Sequence, residues 1–113
     1  MSQASSSLPS AAAVFRIDRF EVPAQALPAF MERVRFVDQR LAGLPGCRQN
    51  LVLQQPGSGA ETRVITLVEW ASAQAMEAAK AVMQKEYAAE GFDPPAFMRQ
   101  LGVRADMGSY SPA

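Results

Sequence analysis

Apolar residues recur along this chain with two periods, and the switches between them divide it into elements. Val14, Phe20 and Val22 share one parity of a first strand, and Phe15 and Ile17 share the other. Pro23 ends that strand, and Pro28 suits the first turn of a helix, where its missing N–H costs nothing. Leu27, Phe30, Met31, Val34, Val37, Leu41 and Leu44 then recur at helical spacing, with Arg33, Arg35, Asp38 and Arg40 filling the rest. This predicts a helix over 27–44, stopped by Leu44-Pro45-Gly46. A second strand over 47–55 places Cys47, Gln49, Leu51 and Leu53 on one face. The turn-rich Pro56-Gly57-Ser58-Gly59-Ala60-Glu61 joins it as a hairpin to a third strand ending at Trp70. Ser72 is a good N-cap, and the helix it opens carries Ala75, Met76, Ala79, Val82, Met83 and Tyr87 on one face. Glu77, Lys80, Lys85 and Glu90 fall outside that face. Gly91 closes this helix, and Asp93-Pro94-Pro95 opens a short one whose buried side is Phe97, Met98 and Leu101. The last strand runs over 103–110.

The order β-α-β-β-α-(α)-β is the ferredoxin-like split βαβ plan, an α+β fold. Right-handed crossovers give a four-stranded antiparallel sheet in the order 4-1-3-2 with the helices on one face. Both central strands are apolar on both sides. In the third strand Val64, Val68 and Trp70 take one face, and Ile65 and Leu67 take the other. Helices can cover only one of these faces. Phe15, Ile17, Ile65 and Leu67 therefore need a second cover, most simply another copy of the chain in a two-fold homodimer.

Length and charge narrow the classes. The 113 residues fit one domain, read as 14–113, behind a Ser/Ala-rich segment over 1–13 expected to be a disordered tail without the cationic start of a secretory signal. Eleven basic and eleven acidic residues balance, with no basic stripe, so no nucleic-acid or anionic-membrane partner is expected. No apolar run approaches the roughly 20 residues that span a bilayer. The single cysteine, Cys47, precludes an intrachain disulfide and suits a cytoplasmic setting. There is no histidine, which removes imidazole bases, Ser-His-Asp and Cys-His catalysis and most zinc sites, and no metal site is expected. No glycine-rich phosphate loop follows any strand.

The stretches Ile17-Asp18-Arg19-Phe20-Glu21-Val22-Pro23, Leu44-Pro45-Gly46, Thr66-Leu67-Val68-Glu69-Trp70 and Leu101-Gly102-Val103-Arg104-Ala105-Asp106-Met107-Gly108-Ser109-Tyr110 resemble the antibiotic biosynthesis monooxygenase family. The resemblance covers the folded part from Val14 to Tyr110. It implies a dimeric α/β barrel, in which two ferredoxin-like sheets pack face to face and each subunit holds a pocket between sheet and helices. The family includes cofactor-free oxygenases of polycyclic phenols, quinol monooxygenases and haem-degrading enzymes. The haem-degrading branch fits poorly, because its histidine ligand is missing and its strand-one asparagine is Asp18 here. The activity implied is oxidation of an electron-rich aromatic by O₂ with no cofactor. A non-catalytic small-molecule-binding protein and a cyclase or isomerase on the same scaffold remain alternatives.

The candidate site follows from strand parity together with that resemblance. Trp70 matches the pocket tryptophan of family oxygenases, and equally suits a core anchor. Asp18 can take a phenolic proton or pair with an arginine. Arg16, on the same parity, is that partner or a holder of a substrate anion, while Asn50 and Tyr87 can hydrogen-bond a substrate. Trp70 is expected near Val14 and Arg16, with Asp18 further along, toward Thr66. The methionines Met31, Met76, Met83, Met98 and Met107 read as core filling or as a soft wall for a planar ligand.

Overall fold

A computed structural model describes residues 10–113. Its elements are β1 (Val14–Val22), α1 (Leu27–Ala42), β2 (Cys47–Pro56), β3 (Thr62–Trp70), α2 (Ala73–Glu90), α3 (Pro94–Leu101) and β4 (Arg104–Tyr110), with one 3₁₀ turn at Ala24–Ala26 before α1. Most of the segment expected to be a disordered tail, residues 1–9, lies outside the described residues. Residues 10–13 close a turn in which Ala13 N–H donates to the Ser10 carbonyl at 2.9 Å, and Ala13 is buried.

The four strands form one antiparallel sheet in the order β2-β3-β1-β4, the predicted 4-1-3-2 arrangement. β1 and β3 pair from Val14 opposite Trp70 to Val22 opposite Thr62. The first-strand side chains of even number therefore share a face with Trp70, Val68 and Val64, and the helices pack there. Phe20, Val22, Phe30, Met31, Val64 and Val103 form the larger core cluster. Phe20 and Phe30 meet edge to face at 5.0 Å between ring centroids, a favoured aromatic geometry. Val68, Trp70 and Ala79 form a second cluster closer to α2. Ser72 caps α2 as expected, accepting from Ala75 N–H at 3.1 Å, and Asp93 caps α3.

Among the described residues, no helix or loop covers the opposite face of the sheet. The pairing aligns Leu51 with Leu67 and Ile17, and Leu53 with Ile65. Leu51, Leu53 and Tyr110 are 43%, 52% and 55% exposed, so a broad apolar surface faces outward. Its far end is closed by ion pairs, Arg63 to Glu21 at 2.6 Å and Arg19 to Asp106 at 2.6 Å.

One expectation about strand parity needs correcting. Cys47 does not share a face with Gln49, Leu51 and Leu53. A register shift between Cys47 and Gln49 sets Cys47 opposite Trp70 and Gln49 opposite Glu69. The extra residue of the bulge turns Cys47 toward the helices, where it packs on the Trp70 cluster.

Candidate functional site

Between the sheet and the helices lies a cavity of about 780 Å³. Its floor is the helix-facing parity of the central strands: Arg16, Asp18 and Phe20 from β1, Thr66, Val68 and Trp70 from β3, and Met107 and Ser109 from β4. Phe30, Arg33, Val34, Val37, Asp38 and Leu41 of α1 form one wall, and Met76, Ala79, Met83 and Tyr87 of α2 another. The turn and helix after α2 close the remaining side with Phe92, Pro94, Pro95, Phe97 and Met98. A volume of this order fits a drug-sized ligand, for which pockets run from about 300 to 1,000 Å³.

Four of the five residues expected at a site come together here. Arg16 stands opposite Val68, and Asp18 opposite Thr66, as antiparallel pairing requires. Arg16 Nε donates to Asp18 Oδ1 at 2.7 Å, and Arg16 Nη2 lies 3.3 Å from the Met107 sulfur. Asp18 is thus the salt-bridged carboxylate that its parity with Arg16 allowed. Its second oxygen, Oδ2, accepts no hydrogen bond among the described residues, and the side chain keeps 16% of its surface exposed. Trp70 borders the cavity but is only 3% exposed, in a cluster with Val68 and Ala79 against which Leu41, Leu44, Cys47, Ala75 and Met76 pack. It is a core anchor that presents a small part of its ring to the cavity.

Tyr87 projects from α2 into the cavity wall. Burial pushes its phenol above the ordinary tyrosine range, and the charge of Arg33 opposes part of that shift. Asn50 does not join the site. Its amide nitrogen donates to the Asp38 carbonyl at 2.8 Å and to Asp38 Oδ1 at 2.9 Å. It ties β2 to α1 instead of reaching a ligand. Cys47 carries a thiol pushed up by burial and by the nearby Asp38 charge, as suits a small apolar residue and not a nucleophile.

The residue that sequence reasoning passed over is Arg33. Its guanidinium makes a two-pronged ion pair with Glu90, at 2.7 and 2.9 Å. It also lies 3.5 Å from the centroid of the Phe92 ring, with Phe36 and Tyr87 further out. The hydrogen bonds from Arg33 hold Glu90 below the ordinary glutamate range. A signal was present: Phe30, Arg33, Val34, Val37, Asp38 and Leu41 follow one helical stripe, so Arg33 and Asp38 fall inside the apolar face. Glu77 and Lys80, placed outside the apolar face of α2 by spacing, border the cavity as well. Among the described residues no group of three or more His, Cys, Asp or Glu converges as metal ligands, and no helix is long and apolar enough to cross a membrane.

An antiparallel sheet with helices on one face, enclosing an apolar cavity floored by a paired carboxylate, defines a ferredoxin-like ligand-cavity domain. The chain belongs to the antibiotic biosynthesis monooxygenase family, whose profile matches residues 13–83. It is similar to a structure from Shewanella loihica PV-4 described as a candidate monooxygenase, at 25% identity and a TM-score of 0.67, covering 92% of this chain and 97% of that one. SnoaB, a cofactor-independent oxygenase from Streptomyces nogalater, superposes with a TM-score of 0.62 at 17% identity, over 91% of this chain and 95% of its own. A dimeric ferredoxin-like protein from an uncultured marine organism gives 0.68 at 11% identity, over 89% and 95% of the two chains. These last two likenesses establish the fold alone. Comparison with curated proteins returned no match.

Proposed function

We propose that this protein is a cofactor-independent monooxygenase that oxidises an electron-rich aromatic, a phenol, quinol or anthrone-like polycycle, with O₂. Membership of the monooxygenase family supports the reaction class. The observation that carries the substrate class is the pairing of Asp18 with Arg16 on the floor of a large, mostly apolar cavity beside Trp70. The unpartnered Oδ2 of Asp18 is available to take a proton from a phenolic or activated CH group, and Arg16 steadies the carboxylate and the nearby substrate oxygen. The resulting anion passes an electron to O₂, the radical pair recombines as a hydroperoxide, and loss of water leaves the carbonyl product. For a CH₂ group the sum is R₂CH₂ + O₂ → R₂C=O + H₂O, so the substrate supplies every electron. The chain's own work is proton removal, positioning and exclusion of water.

The outward apolar face supports a homodimer as the working form, with Phe15, Ile17, Leu51, Leu53, Ile65 and Leu67 meeting their counterparts across a two-fold axis. Leu51 and Leu53 stand exposed on this face beside half-buried Phe15, Ile17, Ile65 and Leu67, a contiguous apolar surface of the kind that marks an interaction site.

The experiment is oxygen uptake with anthrone, dihydroxynaphthalene and quinol substrates, for the wild type, Asp18→Asn and Trp70→Phe. Oxygen-dependent product formation that collapses in Asp18→Asn supports the reading. A wild type that binds these compounds and consumes no oxygen would return the protein to the small-molecule-binding class. Turnover that persists without oxygen would favour a cyclase or isomerase.

A further inference from the structure

The geometry points to Arg33 as a specificity-determining latch that fixes the adjustable wall of the cavity, residues 92–101, and so sets the size of ligand admitted. This goes beyond the proposed reaction and holds whether the bound aromatic is oxidised or only retained.

The wall is built differently from the other two helices, which each bury two residues. α3 has no fully buried residue. Phe97, Met98 and Leu101 pack on the core only in part. Among the described residues, no side-chain hydrogen bond or ion pair joins Pro94–Leu101 to another element; the one side-chain bond at its start is its own cap, Asp93 to Ala96 N–H at 3.5 Å. The segment is bracketed by Gly91 and Gly102, both left-handed at φ 73°, where glycine turns at no steric cost. Phe92, Phe97 and Met98 nevertheless line the cavity.

Beyond its partial core packing and its own backbone hydrogen bonds, one cation ties this wall to α1. Arg33 stacks on Phe92 at 3.5 Å and holds Glu90, the last residue of α2, with both terminal nitrogens. Phe92 passes the constraint on by ring contacts at 5.2 Å to Phe97 and 5.4 Å to Tyr87. Arg33 Nε is buried with no acceptor among the described residues, a cost that such a position tolerates when the rest of the guanidinium is so held. Lysine can replace neither the planar stack nor the two-pronged pair.

The test is hydrogen exchange on the ligand-free protein, followed by binding of dihydroxynaphthalene and of a bulkier anthrone, read by the fluorescence of Trp70, the one tryptophan. Arg33→Ala is expected to speed exchange at Phe97 and Val103, whose amides donate within this segment, and to leave the β1–β3 ladder protected. It should weaken the smaller ligand about threefold to tenfold, the range of a lost cation–π and ion-pair contact, and weaken the bulkier one less. Arg33→Lys should behave like Arg33→Ala, and Glu90→Gln should fall between them and the wild type. Unchanged exchange over 92–103 overturns the latch, as does a rise spread evenly over the sheet. Neither readout needs turnover, so a protein that oxidises nothing leaves the inference open to decision.

Discussion

Arg16 and Asp18 stand two positions apart on β1 with their side chains on the cavity side, and Arg16 Nε donates to Asp18 Oδ1 at 2.7 Å. A strand makes this pairing possible because alternate residues share a face. The carboxylate is thus held by its own strand, leaving helix positions free for apolar contact with a ligand.

Replacing Asp18 by Asn keeps the shape and removes the proposed base. Oxygen uptake should fall by about 10²- to 10⁴-fold, the usual worth of a positioned general base. Folding stability should change by no more than about 1 kcal/mol, since the partner Arg16 is partly solvated. A loss of oxygen uptake smaller than tenfold in an oxygen-electrode assay would assign the proton transfer elsewhere.

Trp70 is the stronger structural element. At 3% exposure, truncation to Ala should cost about 3–5 kcal/mol, measured by urea unfolding. Trp70→Phe should keep the fold and alter ligand affinity more modestly.

Ile65 lies on the uncovered face of the sheet opposite Leu53. Ile65→Asp should convert the expected dimer into monomer or unfolded chain, because the interface would bury an unpaired charge. Light scattering of the wild type at micromolar concentration checks the premise: a monomer there removes the dimer.

Acid should loosen the α1–α2 contact. Hydrogen bonds from Arg40 and Arg33 hold Glu86 and Glu90 below the ordinary glutamate value in the folded chain. Such groups bind fewer protons folded than unfolded, so their contribution is fully present above that value and is lost as pH falls through the folded one. Tyr87 shifts upward through burial, so its contribution is intact below the ordinary tyrosine value and lost above it. Thermal melts across pH should decline at both limits, and Glu86→Gln with Glu90→Gln should flatten the acid limb.

Gly46 is left-handed at φ 85°, and a Cβ built there falls 2.5 Å from the Ala75 Cβ. Gly46→Ala should cost about 2–4 kcal/mol, from left-handed strain plus overpacking. Adding Ala75→Gly should recover the packing part alone, leaving about 1–2 kcal/mol of backbone strain in a double-mutant cycle.

Periodicity is local, and local information was enough for much of this protein. The parity of β1 and β3 set Asp18, Arg16 and Trp70 on one face and Ile17, Ile65 and Leu67 on the other. The element order, with right-handed crossovers, and the apolar stripes of α1 and α2 assigned both helices to one side of the sheet, where they pack. Partnership across distance was a different matter. Cys47 changed face because one extra residue entered β2, which alternation cannot signal. Asn50 met Asp38, 12 residues away, because β2 lies against α1. Arg33 and Glu90 are 57 residues apart, and nothing in either helix names the other as its partner. Which charges meet depends on where two helices cross and how far each is rotated. Those quantities are fixed only when the whole core packs, and it was the packed core that placed Arg33 in the cavity wall against Phe92 and Glu90.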